Sequence, residues 1–318
     1  MINVLSLFDG ISCGQIALDK LNIDYKYYSS EIDKHAINVT QHNFPDTIQL
    51  GDITKIKGSD LPQIDLMMGG SPCQGFSFAG KLLNFDDPRS KLFFEFVRLL
   101  KEVKPKYFLL ENVKMKQQFQ DIINEHIGVK PIEINSSLVS AQFRRRLYWT
   151  NIPDIEQPQD KNITINDIIE DNIGGEKVIF GENGVWKSVA KNKKKIFLNK
   201  EAIPPYTILE TRTEEGKRER KRLRELYGID TTPRGPEHKM YVPHPNDKCN
   251  CITTIKSELD KIVDRQYNYR YLTMRELERL QNIPDDYTLI ANENQRRKMI
   301  GNGWTVDVIV HILKNMKL

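Results

Sequence analysis

A cysteine between proline and glutamine, in Gly70-Ser71-Pro72-Cys73-Gln74-Gly75, is the first place in this sequence where chemistry could reside. Proline lacks an amide donor and restricts the residue before it. Cys73 is therefore excluded from a regular strand centre and is predicted on a loop at a sheet edge. There a thiolate could be exposed and reactive. The alternative is an inert buried thiol, the commoner state of free cysteine. A second cluster, Phe8-Asp9-Gly10-Ile11-Ser12-Cys13-Gly14, follows an apolar run. Glycines at a strand-to-helix turn admit a ligand to the backbone, and a helix N-terminus favours negative charge. The spacing G-x-x-x-G is not the dinucleotide fingerprint G-x-G-x-x-G. Glu31 ends the next such run, where an acid either accepts hydrogen bonds from ribose hydroxyls or simply caps the strand in solvent.

Short apolar runs must position these segments. Residues 3–8 read as a strand, and Ile16, Ala17, Leu18 and Leu21 follow with helical spacing. Residues 25–30 read as a second strand closed by Glu31, 64–68 as a third closed by Gly69-Gly70, and 107–110 as a fourth closed by Glu111. Leu92, Phe93, Phe96, Val97, Leu99 and Leu100 make an apolar helical face that stops before Pro105. Strands alternating with helices predict an α/β fold: a mostly parallel, doubly wound, Rossmann-like sheet covered on both faces. Ligands of such sheets bind beyond the carboxyl ends of the strands, so residues far apart in sequence become candidates for one cleft. After about Asn151 the chain turns polar and rich in turns. We predict a core over residues 1–153, a smaller irregular domain over 154–265, and a segment over 266–318 that returns to the core. In that segment 273–281 reads as a helix with Thr273 as N-cap and Glu276 three residues on. Residues 306–316 read as a closing helix.

The chain has 318 residues, 39% of them hydrophobic, enough to bury a substantial core in one or two domains. Net charge is +4, unevenly spread. Residues 187–224 hold 13 Lys and Arg against 5 Glu, a local +8 that leaves −4 on the rest. Such an excess suits a polyanionic partner, with a solvated charged helix as the plainer reading. Lys187, Lys191, Lys193, Lys194, Lys195, Arg218, Arg220, Lys221, Arg222 and Arg224 are the candidate phosphate contacts. The cysteines are Cys13, Cys73, Cys249 and Cys251; the last two form a C-x-C pair with no second pair at zinc-site spacing. The histidines form no H-x-x-x-H or comparable cluster, so no metal is expected. Nothing resembles a disulfide framework, a secretory signal or a transmembrane run, which predicts a soluble cytoplasmic protein with no membrane partner.

In series, these segments resemble the DNA (cytosine-5)-methyltransferase family. Ser6-Leu7-Phe8-Asp9-Gly10-x-x-x-Gly14 is similar to its glycine loop for S-adenosylmethionine (AdoMet). Glu31-Ile32 resembles its ribose and adenine contact, and Gly51-Asp52-Ile53 the loop that holds the adenine amine. Pro72-Cys73-Gln74-Gly75 resembles the catalytic loop, Glu111-Asn112-Val113 the acid motif, and Gln142-Phe143-Arg144-Arg145-Arg146 the Q-x-R-x-R motif. Arg270-Tyr271-Leu272-Thr273 with Arg275-Glu276-x-x-Arg279-Leu280-Gln281, and then Gly301-Asn302-Gly303, resemble the late blocks. They keep the family's order and span nearly the whole catalytic domain. Ser71, and Gly303-Trp304-Thr305-Val306, depart from the commonest pattern and resemble the animal de novo branch.

The resemblance implies an AdoMet pocket built from Phe8, Gly10, Ile11, Glu31, Ile32, Asp52, Ile53, Pro72, Leu92, Asn302, Gly303 and Trp304. It implies Cys73 as the nucleophile toward cytosine carbon 6, and Glu111 as the acid that holds or shares a proton with ring nitrogen 3. Arg144 and Arg146 are the implied donors to the base carbonyl and backbone. Gln74 and Gln142 are expected near the nucleic acid. The implied reaction is methylation of carbon 5 in a base swung out of double-stranded DNA. The basic second region favours DNA over the RNA substrate of a related tRNA-methylating branch. A cognate restriction endonuclease in the same restriction-modification system, without stable binding, is a further family-level expectation.

Overall fold

Alternate residues along each buried strand face opposite helical layers, as a pleated strand requires. The computed structural model describes residues 1–71, 88–180, 186–188, 195–196, 205–212, 217–218, 221–222, 225, 239–243, 248–256 and 260–318. Strands β1 (Ile2–Leu7), β2 (Tyr25–Ser30), β3 (Ile48–Gln49), β4 (Leu66–Gly69), β5 (Tyr107–Val113), β6 (Ile132–Asn135) and β7 (Arg145–Thr150) form one sheet, in the order β3-β2-β1-β4-β5-β7-β6. Neighbours from β3 to β5 are parallel, and β7 runs antiparallel to both β5 and β6.

Val4, Leu66, Met68 and Leu109 pack against helices α1 (Cys13–Lys20) and α2 (Lys34–Asn43) on one face. Leu5, Leu7, Met67, Phe108 and Leu110 pack on the other, against α3 (Pro88–Val103) and α4 (Gln117–Ile127). The apolar face of α3 does what its spacing predicts: Phe93, Phe96 and Leu99 are fully buried. Each such side chain contributes roughly 1.5–3 kcal/mol of transfer free energy. Helices α5 (Met274–Leu280), α6 (Glu293–Asn302) and α7 (Val306–Leu313) complete the body, with α7 joining the α1 layer.

Strand β5 differs from its expected extent. It continues past Glu111 because Glu111, Asn112 and Val113 pair with Tyr148, Leu147 and Arg146 of β7, a partner remote in sequence. The expected irregular region carries a second, antiparallel sheet. Its strands are β8 (Glu176–Phe180), β9 (Trp186–Ser188), β10 (Lys195–Ile196), β11 (Tyr206–Arg212), β12 (Lys239–Pro243), β13 (Lys261–Val263) and β14 (Asn268–Tyr271), in the order β10-β9-β8-β14-β13-β11-β12. Strand β14 draws residues 268–271 into this sheet, past the boundary expected at residue 265.

A third core ties the two bodies together, with Ala141, Cys249, Ile252, Leu277 and Ile300 in one cluster. Beside it the expected capping box forms: Thr273 Oγ1 accepts the Glu276 amide, and Glu276 accepts the Thr273 amide at 2.7 Å. Glu276 is fully buried and also takes both terminal nitrogens of Arg270, at 2.8 and 2.7 Å, while Asp264 takes Arg270 Nε at 3.2 Å.

Candidate active site

Strand order reverses at β1, between β2 and β4, which is where an open parallel sheet leaves a crevice. Beyond β1 the chain turns through three left-handed residues, Phe8, Gly10 and Ser12, with φ of 56°, 59° and 55°. Asp9 fixes this turn. Its buried carboxylate accepts hydrogen bonds from the Tyr27 hydroxyl at 2.8 Å, the Ser29 hydroxyl at 2.9 Å, and the Ser12 hydroxyl. Burial raises the Asp9 carboxyl above its ordinary range, against the opposing pull of those hydroxyls. A Cβ placed on Gly10 would meet nothing within 4 Å, so its main chain fronts open space. The Gly10 amide donates to Glu31 Oε2 at 2.8 Å, and Glu31 Oε1 accepts the amides of Ile32 and Asp33 at 2.7 and 2.8 Å. Glu31 is thereby held at the strand ends with lone-pair capacity left for hydroxyl donors. Asp52 accepts the Thr54 amide at 3.0 Å and hydroxyl at 2.9 Å, which hold its carboxyl below the ordinary range.

These loops border a cavity of about 430 Å³. Of the expected cofactor residues, Phe8, Gly10, Glu31, Ile32, Asp52, Ile53, Leu92, Asn302, Gly303 and Trp304 line it. Ile11 does not: its side chain is in the core, and its carbonyl accepts the Tyr287 hydroxyl at 2.8 Å. Pro72, Cys73 and Gln74 lie outside the described residues. Sequence reasoning missed Lys298, whose ammonium meets Asp33 at 2.8 Å across the rim. Only the fold brings those two positions together.

Glu111 and Arg146 stand together at another part of the cavity wall, with Arg146 Nε 3.0 Å from Glu111 Oε1. Burial works against the Arg146 charge more than any one neighbour favours it, but Glu111, Cys251 and Tyr148 together hold the guanidinium above its ordinary range. Next along β5, Asn112 Nδ2 donates to the Ser71 carbonyl at 3.3 Å and reaches its hydroxyl at 3.2 Å. The chain entering Pro72-Cys73 is therefore pinned beside the acid. A Cβ on Gly70 would stand 3.0 Å from Trp304 Nε1 and 3.3 Å from Glu111 Oε2, so a residue without a side chain lets these groups converge.

Arg144 is placed differently from Arg146. It is buried and donates to the carbonyls of Gly303 at 2.9 Å, Gly301 at 3.3 Å and Ile252 at 3.4 Å. Burial, and then the like charge of Arg146, lower its affinity for a proton. Its geometry is that of a brace for the 301–303 wall. Gln142 is also fully buried, donating to the Leu280 carbonyl at 2.6 Å and to Gln281 at 2.9 Å, so its amide braces the arginine loop from inside. Cys13 lies under Gly303-Trp304, where burial pushes its thiol up to about 12; burial likewise pushes Cys249 well up. Neither suits a nucleophile.

Of the basic stretch, Lys187 and Lys195 are register partners on β9 and β10, and Arg218, Lys221 and Arg222 are exposed. Lys191, Lys193, Lys194, Arg220 and Arg224 lie outside the described residues. Among the described residues no cluster of His, Cys, Asp and Glu could hold a metal ion, and no helix is long and apolar enough to cross a membrane.

Comparison with known proteins agrees with this arrangement. The chain is 30% identical over 339 residues to the type II methyltransferase M1.ScrFI of Lactococcus lactis subsp. cremoris, covering 98% of this chain and 77% of that protein. It is 30% identical over 331 residues to M.NgoBI of Neisseria gonorrhoeae, covering 97% and 91%. Its fold is similar to that of a chain described as a DNA modification methyltransferase encoded within an E. coli prophage, with a TM-score of 0.63 at 22% identity and coverage of 99% and 98%. The model of the C-5 cytosine-specific DNA methylases matches residues 2–127 and 134–318, and the chain belongs to that family of AdoMet-dependent DNA methyltransferases.

Proposed function

We propose that this enzyme methylates carbon 5 of a cytosine swung out of double-stranded DNA, through a covalent bond from Cys73 to carbon 6. The observation that carries the reading is one cavity bordered by two kinds of wall: loops suited to a nucleoside, and the Glu111–Arg146 pair beside the anchored start of the Cys73 loop. The cavity fits AdoMet by its chemistry. Open main chain at Gly10 admits the ligand closely, Glu31 can accept ribose hydroxyls, and Asp52 can accept the adenine amine. When bound there, AdoMet supplies an activated methyl group.

Carbon 5 of cytosine is a poor nucleophile. Attack of the Cys73 thiolate on carbon 6 forms a sulfur–carbon bond and pushes charge into the ring. Glu111 neutralises that charge by holding or sharing a proton at ring nitrogen 3, and Arg146 orients Glu111 and the base carbonyl. Carbon 5 takes the methyl group, loses its proton, and the sulfur–carbon bond breaks to free Cys73. Stacking hides both carbons in a duplex, so the base must leave the helix, with Gln74 a contributor. Lys187, Lys191, Lys193–195 and the 218–224 cluster contact phosphates, positioning the duplex more than reading it. Likeness to the animal de novo branch at Ser71 and Trp304 is a reading of the pocket wall alone. A cognate endonuclease would share the DNA site without binding this chain.

The test is incubation of mixed-sequence duplex DNA with labelled AdoMet, with tRNA as competitor, followed by base-resolution mapping. Label at carbon 5 of cytosine within a defined duplex sequence is expected. Label confined to tRNA, or to another base atom, would overturn the reading.

A further inference from the structure

We infer that Cys251 is a positioning residue for Arg146, holding its guanidinium on Glu111. The inference rests on the reading that this pair acts on the base. Each nitrogen of Arg146 has its own partner: Nε has Glu111, Nη1 has the Arg145 carbonyl at 2.9 Å, and Nη2 has the Cys251 sulfur at 3.8 Å. The same sulfur accepts Arg144 Nη1 at 3.5 Å, and its own S–H donates to the Ile252 carbonyl at 3.5 Å. One half-buried thiol thus stands between two guanidiniums of like charge and gives each an acceptor. Sulfur is polarizable and has lone pairs enough to accept from both donors, a capacity that a hydroxyl oxygen shares and a methyl group lacks.

The thiol is held by a fixed segment. The Cys249 amide donates to the Ala141 carbonyl at 2.6 Å, and the Phe143 amide donates to the Cys249 carbonyl at 2.8 Å, tying the segment to the arginine loop. On its far side, a Cβ on Gly301 would fall 2.6 Å from the Thr253 main chain, so α6 is packed directly on it. Without the thiol, Arg146 Nη2 loses its partner and the guanidinium is free to swing away from Glu111, although both catalytic groups remain.

Two readouts test this. In steady-state methyl transfer to duplex DNA, Cys251→Ala is expected to lower kcat about 10-fold or more, the scale of one hydrogen bond to a charged group. KM for AdoMet stays unchanged. Cys251→Ser keeps an acceptor and regains most of the loss. Adding Cys251→Ala to Arg146→Lys, which lacks Nη2, causes no further loss. Unchanged kcat, equal loss in the alanine and serine variants, or additive loss in the double variant overturns the proposal. Independently of DNA and AdoMet, the Arg146 Nε–H resonance, assigned through Arg146→Lys, is expected to shift or broaden in Cys251→Ala. An unmoved resonance overturns the proposal whatever the activity. A parent enzyme inactive on DNA with a resonance that does move sinks the functional reading and leaves the Cys251–Arg146 interaction standing.

Discussion

The two sheets of this molecule solve different problems. The first is mostly parallel, sealed by helices on both faces, and borders the candidate site with loops at the ends of its strands. Nearly every polar group there is fixed by another, as Asp9 is by three hydroxyls and Glu31 by three amides. The second is antiparallel, and residues 187–224, which hold the excess of positive charge, overlap three of its strands. Between its strands β11 and β12, the charged side chains at 218, 221 and 222 are exposed. Methyl transfer needs groups placed to within a fraction of an ångström, whereas attraction of a duplex needs only a field. The difference predicts that substitutions near the first sheet change turnover, and those on the second change binding and its dependence on salt.

Arg146→Gln should break this division most visibly, lowering kcat by about 100- to 1,000-fold, as loss of a charge-stabilising donor does elsewhere. AdoMet binding, measured by calorimetry, should hardly change. Arg144→Gln should do the opposite in kind: it releases the carbonyls of Gly301 and Gly303, so AdoMet binding weakens first. Next in size is Arg270→Ala, which strands Glu276 and Asp264 and should cost about 3–5 kcal/mol in a urea titration. Neutralising Lys187, Lys191, Lys193, Lys194 and Lys195 together should weaken duplex binding similarly for all sequences. The salt slope should flatten by roughly 0.9 for each phosphate that is no longer neutralised. An unchanged slope would return the stretch to a solvated face.

The smallest effect sharpens the comparison through pH. Burial raises Asp9 in the folded state, so the folded chain binds its proton more tightly than the unfolded chain does. The stability associated with that proton is present below the unfolded carboxylate range and is lost as pH rises through the folded value. Asp9→Asn should therefore look progressively better, relative to the parent, as urea titrations move from acid to neutral pH. A difference constant with pH would contradict the assignment.

Much of the first sheet is legible in the sequence because its signals are local. Strand β2 has the bounds read for it, residues 25–30, and Thr273 with Glu276 forms the capping box that its spacing announces. The cavity wall is legible where motif residues are also loop residues, as at Gly10, Glu31 and Asp52. What was hidden depends on partners remote in sequence. Glu111 reads as a strand end because Tyr148, which extends the ladder, lies in β7. Arg144 and Arg146 are equivalent in type and two residues apart, yet one faces carbonyls and the other a carboxylate. In the second sheet β9, β10 and β13 left no periodic pattern because a strand of two or three residues has too few positions to alternate.

The central claim is a bond from the Cys73 sulfur to carbon 6 of the target base, and trapping that bond tests it most directly. With fluorine at carbon 5 there is no proton to lose, so the enzyme cannot release the base after methyl transfer. Duplex DNA carrying 5-fluorocytosine, incubated with AdoMet, should yield a denaturation-resistant complex with the mass of protein, DNA and one methyl group, attached at Cys73. Cys73→Ser should give none. A stable complex attached at another residue, or full methylation of ordinary DNA by Cys73→Ser, would contradict the account.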